Sequence, residues 1–166
     1  MRKILAVILL ALAGCSSSTE LSMDDQMFAA MMIPHHEQAI EMSNIALTNS
    51  SNPQILELAT AIKDAQEPEI ELMKNWAGTM LGAHDGHIMA GMLTAEEIDD
   101  LKSAAGVEFD RLFLLGMIKH HRGAIDMAEP VLTSKNPDVA ALAESIIQTQ
   151  QAEITAMQNL LAELAE

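Results

Sequence analysis

The chain has no tyrosine, and only three phenylalanines and one tryptophan in 166 residues. Few large flat rings are available, so the core must be filled by Leu, Ile, Ala and the 13 methionines, whose flexible thioethers pack irregular gaps. Cysteine occurs once, at Cys15, which rules out an intrachain disulfide. Basic residues are scarce: nine Lys and Arg face 24 Asp and Glu, a net charge of −15. Such a surface repels phosphate backbones, so nucleic acid is a poor partner, while cations are concentrated near it without being selected. No nucleophile–base pair and no phosphate-binding loop stands out, which leaves hydrolase readings unsupported and points away from an enzyme.

The longest apolar run is also short. Arg2 and Lys3 precede Ile4 to Ala13, about ten apolar residues, too few to span a bilayer of about 30 Å as a helix. The segment reads as a secretion signal over residues 1–14. Leu12-Ala13-Gly14-Cys15 resembles the lipobox of bacterial lipoproteins, which implies cleavage before Cys15 and lipidation of its sulfur. Residues 15–22 are then a lipidated cysteine and tether, and the membrane is a partner through that lipid. The alternative is an ordinary signal peptide cleaved nearby. Either way the expected place is the extracytoplasmic side of a bacterial cell envelope, the periplasmic side of a membrane. There a lasting soft-metal site does better with thioether and imidazole than with thiolate.

What the chain does have is a repeat. The stretch Met31 to Met42, carrying Pro34-His35-His36-Glu37, returns as Gly116 to Met127, carrying Lys119-His120-His121-Arg122. The match runs from Asp25 to Thr48 against Asp110 to Thr133 at an offset of 85 residues, then from Asn52-Pro53 against Asn136-Pro137 at 84. It continues through Leu58-Ala59, Ile62, Gln66, Glu69-Ile70, Met73 and Asn75, matched by Leu142-Ala143, Ile146, Gln150, Glu153-Ile154, Met157 and Asn159. Self-similarity of this length predicts two helical hairpins, at about 24–81 and 109–165, within one domain over 23–166.

Apolar periodicity and end signals place the helices. Ser22 with Asp25 opens the first, to Thr48. Asn52 and Pro53 open the second, to about Met80. A glycine-rich segment from Gly82 to Met92 precedes a short helix capped by Thr94 and Glu97, with Leu93 stapled to Ile98 and an end at Gly106. The third long helix is expected over Val107 to Thr133 and the fourth from Pro137 to near Ala165. Pro34, Pro68 and Pro130 fall inside these spans and should bend them. The expected fold is an all-α four-helix bundle with a short extra helix in the connector.

The polar residues of the apolar stripes carry the functional expectation. His35, His36, His120 and His121 border those stripes, as do Gln66, Glu69, Gln150 and Glu153, and the histidines and glutamines lie about 13 residues into their helices. In an antiparallel bundle they meet in one mid-height layer. Met32 and Met117 stand one turn before His36 and His121, and Met42 and Met127 one turn or more beyond the pairs. These histidines, methionines, Glu69 and Glu153 are candidate ligands for a metal ion; alternatively the polar groups only satisfy one another. His84, His87, Met89 and Met92 in the connector repeat the same ligand types as a second, weaker cluster, or form a plain loop.

The pattern Met-Ile-x-His-His-x-x-Ala-Ile-x-Met, followed by Asn-Pro, Leu-Ala, Ile, Gln-x-x-Glu-Ile and Met, resembles the bacterial domain of unknown function 305, a ferritin-like four-helix bundle. The resemblance covers about Asp24 to Leu164. Its better understood members, of the CopM type, look like envelope proteins that bind copper and silver through His and Met. That implies a copper ion here, with Cu(I) favoured and Ag(I) or Cu(II) admitted, held by the paired histidines and nearby methionines for sequestration or trafficking. The connector holds few His and Met, so one or a few ions are expected rather than bulk storage. Two other readings remain at this point. One is a structural or partner-binding bundle without a ligand. The other is a ferritin-like di-metal redox protein, for which the stripes lack Glu-x-x-His.

Overall fold

The computed structural model describes residues 20–165. The leader and Cys15, with the signal and lipidation expected there, lie outside the described residues. Five α-helices follow in order: α1 (Met23–Asn49), α2 (Pro53–Ala77), α3 (Ala95–Ser103), α4 (Gly106–Ala128) and α5 (Pro137–Glu163). Among the described residues there is no strand, and no helix is long and apolar enough to cross a membrane.

Local chemistry sets the ends. Ser22 and Asp25 exchange backbone and side-chain hydrogen bonds in a capping box at α1, as do Thr94 and Glu97 at α3. The Asn52 and Asn136 side chains accept backbone N–H bonds at α2 and α5, with proline in the first turn of each. Each such cap satisfies donors the helix itself leaves open, at about 1 kcal/mol apiece. Leu93 and Ile98 are buried in one apolar cluster.

Three boundaries differ from the sequence expectation. The regular part of α2 stops at Ala77, and Gly78–Met80 is a 3-10 turn, because Gly78 takes φ of 54°. α4 stops at Ala128, five residues before the expected Thr133, because Pro130 cannot continue the hydrogen-bond ladder; Glu129–Val131 forms a 3-10 turn instead. Pro130 thus ends its helix rather than bending it. Gly106 does not close the connector helix, which ends at Ser103; it starts α4 with φ of 60°.

α1 packs on α2, α4 on α5, and α1 against α4. The two hairpins are tied at both ends by matching contacts. The Ser50 hydroxyl donates to Asp110 at 2.6 Å, and the Ser134 hydroxyl donates to Asp25. Both aspartates are buried. Burial pushes the Asp25 carboxyl up, but hydrogen bonds from Ser134 and Ser22 outweigh it and hold it below the usual range.

The core is two apolar clusters rather than one. The first gathers Phe28, Met32, Ile70, Met73, Trp76, Val139 and Ile146; the second gathers Met42, Ile55, Ile62, Phe109, Phe113, Met117 and Met157. Along each long helix the sequence passes from one cluster to the other through buried polar residues: His35 and His36, Gln66, His120 and His121, Gln150. The polar layer is therefore the boundary between two cores.

The connector runs beside α1 from its N-terminal end. His84 touches Met27, Ala90 meets His35, Gln38 bonds both the N–H and C=O of Leu93, and Lys102 reaches Glu41 and Asn49. At Gly91 and Gly123 two backbones meet face to face. A Cβ on Gly123 would lie 1.9 Å from the Ala90 carbonyl oxygen, and one on Gly91 would lie 2.6 Å from that of Lys119. Gly91 also takes φ of 81°. We expect Gly123→Ala to cost about 2 kcal/mol or more in urea denaturation, since only backbone movement relieves the overlap. Gly116→Ala meets only the flexible ends of Leu93 and Met42, at 3.1 and 3.3 Å. It should be near neutral or gain up to about 1 kcal/mol from helix propensity. Equal costs at the two sites would contradict this packing.

Candidate metal centre

Pro34 precedes the first histidine pair inside α1, where it removes one helix hydrogen bond, and the second pair sits in unbroken α4. Consecutive positions on a helix point about 100° apart, so each pair sends one ring toward the other hairpin and one toward its own partner helix. His35 and His120 meet between hairpins, with ring centroids 3.8 Å apart and planes tilted 41°. His36 turns to α2, where its Nε2 lies 2.8 Å from Glu69 Oε2. His121 makes the same contact on α5, 2.6 Å from Glu153 Oε2. All four rings are fully buried.

The remaining two contacts are made to backbone. His120 Nε2 donates to the His35 carbonyl at 2.9 Å, and His35 Nε2 donates to the Ala90 carbonyl at 3.1 Å. A carbonyl only accepts, so Nε2 carries the proton in both rings, and a neutral ring then has a bare lone pair on Nδ1. The glutamates impose the same assignment on His36 and His121 when they are ionised and those rings are neutral. In all four rings Nδ1 is buried without a hydrogen-bond partner. Both amide atoms of Gln66 and the Oε1 of Gln150 are also buried and unpartnered. An orphaned buried acceptor costs about 1–3 kcal/mol, so the layer is poorly explained as mutual satisfaction alone.

Burial is also the first cause of the weak basicity of His35 and His120. It lowers His35 to about 3 from 6.5, helped by the neighbouring His36 and His121 and opposed by the Ala90 hydrogen bond. His120 is pushed well below 6.5 by burial, then by the other three rings. At neutral pH both are uncharged, the form that offers a lone pair to a cation.

The candidate residues divide as follows. Met32 and Met117 are fully buried, but Met32 belongs to the first apolar cluster and Met117 to the second, on opposite sides of the imidazoles. Met42 is buried in the second cluster, and Met127 packs half-buried on the first. Glu69 and Glu153 orient histidines, with side chains 18% and 15% exposed. Among the described residues, no three His, Cys, Asp or Glu side chains stand together as a closed metal cage. In the connector His84 and His87 do meet, rings 5.6 Å apart and edge-on, and the Met89 N–H lies 3.3 Å from the Met92 sulfur. The sequence reading missed Met27, whose sulfur is 3.1 Å from His84 Nε2. It also missed Ala90, whose contribution is a backbone oxygen that no side-chain pattern displays.

The fold and this layer define an all-α bundle whose two hairpins meet through buried imidazoles, each with one nitrogen held and one open. The chain belongs to the family described as domain of unknown function DUF305, which matches residues 25–161. Among solved structures it is similar to a DUF305 fragment from Deinococcus radiodurans, at 29% identity over 87% of this chain and 99% of that one, with a TM-score of 0.78. It is also similar to CopM in its Cu(I)-bound form, at 34% identity over 84% of this chain and 96% of that one, with a TM-score of 0.70. CopM has been solved in Cu(II)-bound and Ag-bound forms as well. A curated relative, the uncharacterized protein L153 of Acanthamoeba polyphaga mimivirus, is 32% identical over 72 residues, 43% of this chain. The chain spans about half the length of that relative, 47%.

The buried histidines carry a pH prediction. With folded values below the unfolded 6.5, His35 and His120 bind fewer protons when folded than when unfolded. Stability therefore rises with pH across that window. The metal-free protein should lose on the order of 1 kcal/mol per pH unit through His35 as pH falls from about 6.5 toward 3, and His120 adds a loss of the same sign. A pH series of urea midpoints measures this, and a flat profile between pH 6.5 and 4 would contradict it.

Proposed function

We propose that this protein binds a soft metal ion, Cu(I) foremost and Ag(I) or Cu(II) as well, through its imidazole layer. The setting is the extracytoplasmic side of a bacterial envelope, where Cys15 carries the lipid anchor and the protein sequesters or passes on the ion. One observation carries the reading: four buried rings each spend Nε2 on a fixed acceptor and keep Nδ1 bare. Carboxylate or carbonyl on one ring nitrogen and metal on the other is the usual arrangement of a ligating histidine, because the outer bond fixes the ring and raises its basicity. The likeness to CopM, solved with Cu(I), Cu(II) and Ag, supports the choice of ion.

In this reading the protein's own groups act as follows. Glu69 and Glu153 hold His36 and His121 in the tautomer that presents Nδ1. The Ala90 and His35 carbonyls do the same for His35 and His120. The two apolar clusters above and below keep water out, which favours a soft ion with few ligands over a strongly hydrated one. Met32 and Met117, entering from opposite sides, are the thioethers nearest in sequence to the layer. The net charge of −15 gathers cations around the bundle. The protein is a binder rather than a catalyst. A di-metal redox centre fits poorly, since Glu69 and Glu153 are each engaged by the histidine of their own hairpin.

A second reading, a ligand-free bundle cross-braced by its histidines, is favoured by the lack of three convergent His, Cys, Asp or Glu donors among the described residues. The two separate in one experiment. Titrated against a Cu(I) chelator, the protein should retain copper, and His36→Ala with His121→Ala should abolish retention while circular dichroism stays helical. The thermal midpoint should rise with Cu(I) over that with chelator, by the equivalent of about 3 kcal/mol at a hundredfold excess over the dissociation constant. Equal midpoints with no copper retained would leave the cross-braced bundle.

A further inference from the structure

Outside the imidazole layer, the chain places a second set of soft donors at the N-terminal end of α1. The Met27 sulfur lies 3.1 Å from His84 Nε2, and the His87 ring stands edge-on to His84 at 5.6 Å. Met27 and His84 are half-buried and His87 is exposed, so solvent ions reach this place without opening the bundle. Thioether with imidazole is a donor set for soft ions, and without a carboxylate in it the set disfavours hard ones. The loop can shape itself around an ion, since Gly82 and Gly86 take φ of 79° and 76° on either side of His84 and before His87.

The bland account is packing, a thioether filling a gap beside a ring. The other hairpin argues against it. At the positions equivalent to Met27 and Met31 it carries Leu112 and Gly116, so the same bundle position is built without sulfur where no histidine loop covers it. Met27, Met31 and His35 follow one another at four-residue steps along one face of α1. Eight residues at about 1.5 Å put His35 about 12 Å from Met27, with Met31 between.

We infer that Met27, His84 and His87 form an outer binding site for a single soft monovalent metal ion, separate from the imidazole layer and on the approach to it. The site itself stands whether or not the layer binds metal; only its role as an entrance rests on the function proposed above.

The test uses Ag(I), which is soft and does not change oxidation state here, added to the full chain while methionine methyl and histidine ring resonances are followed by NMR. The Met27 methyl and the His84 ring should shift together and saturate at one equivalent for this site. His84→Gln should weaken the response of Met27 at least tenfold. Met27→Leu copies the residue of the other hairpin, so it should fold with an unchanged midpoint in chelator while silencing the shift of His84. A Met27 methyl that does not move at saturating Ag(I), or moves equally in His84→Gln, overturns the outer site. If Met27 and His84 respond while the four buried rings do not, the outer site holds and the function proposed for the layer fails.

Discussion

Everything in this structure turns on how four imidazoles can be buried between two apolar clusters. Each ring gives its Nε2 proton to an acceptor fixed in position: the carboxylates of Glu69 and Glu153, and the backbone carbonyls of Ala90 and His35. A neutral imidazole has one donor and one acceptor, so fixing the donor leaves Nδ1 as an unmet acceptor in an apolar interior. Packing alone would not favour such an arrangement, because a hydrophobic residue of similar size would avoid the cost. A cation that takes lone pairs relieves it. The same four bonds make the layer rigid, so an arriving ion finds its rings already oriented.

The layer is nearly two-fold, and its departures from symmetry are informative. The pairs His36 with Glu69 and His121 with Glu153 match, as do the ties of Asp25 with Ser134 and Asp110 with Ser50. Met32 and Met117 match as well, which is why they fall in opposite apolar clusters. His35 breaks the pattern: its acceptor is not the His120 carbonyl but Ala90 of the connector. That acceptor reaches the layer because α4 carries Gly123 where α1 carries Gln38. The glycine admits the connector backbone and the glutamine grips it at Leu93. One hairpin thus holds the connector and the other makes room for it, so the repeats have diverged where the covering strap is laid down.

Much of this was legible in the sequence. The 85-residue offset and the apolar stripes gave the four long helices. Their mid-length polar residues gave the layer, because an antiparallel bundle leaves little freedom in height. The caps at Ser22, Asn52, Thr94 and Asn136 could be read because they are local chemistry. What could not be read depended on backbone. The acceptors for His35 and His120 are carbonyls, and the face-to-face approach at Gly91 and Gly123 is a property of two segments together rather than of either one. Met27 went unread because its partner His84 is 57 residues away. The helix ends at Ala77 and Ala128 were misjudged because periodicity continues past them, while Gly78 and Pro130 redirect the chain.

The state of the ring nitrogens is directly observable. Long-range proton–nitrogen NMR of the metal-free protein at neutral pH should show His35, His36, His120 and His121 as Nε2–H tautomers. On adding Cu(I) under reducing conditions, the Nδ1 resonances of these rings should move while the Nε2 protons remain. Rings protonated on Nδ1, or Nδ1 resonances that ignore saturating Cu(I), would contradict the account.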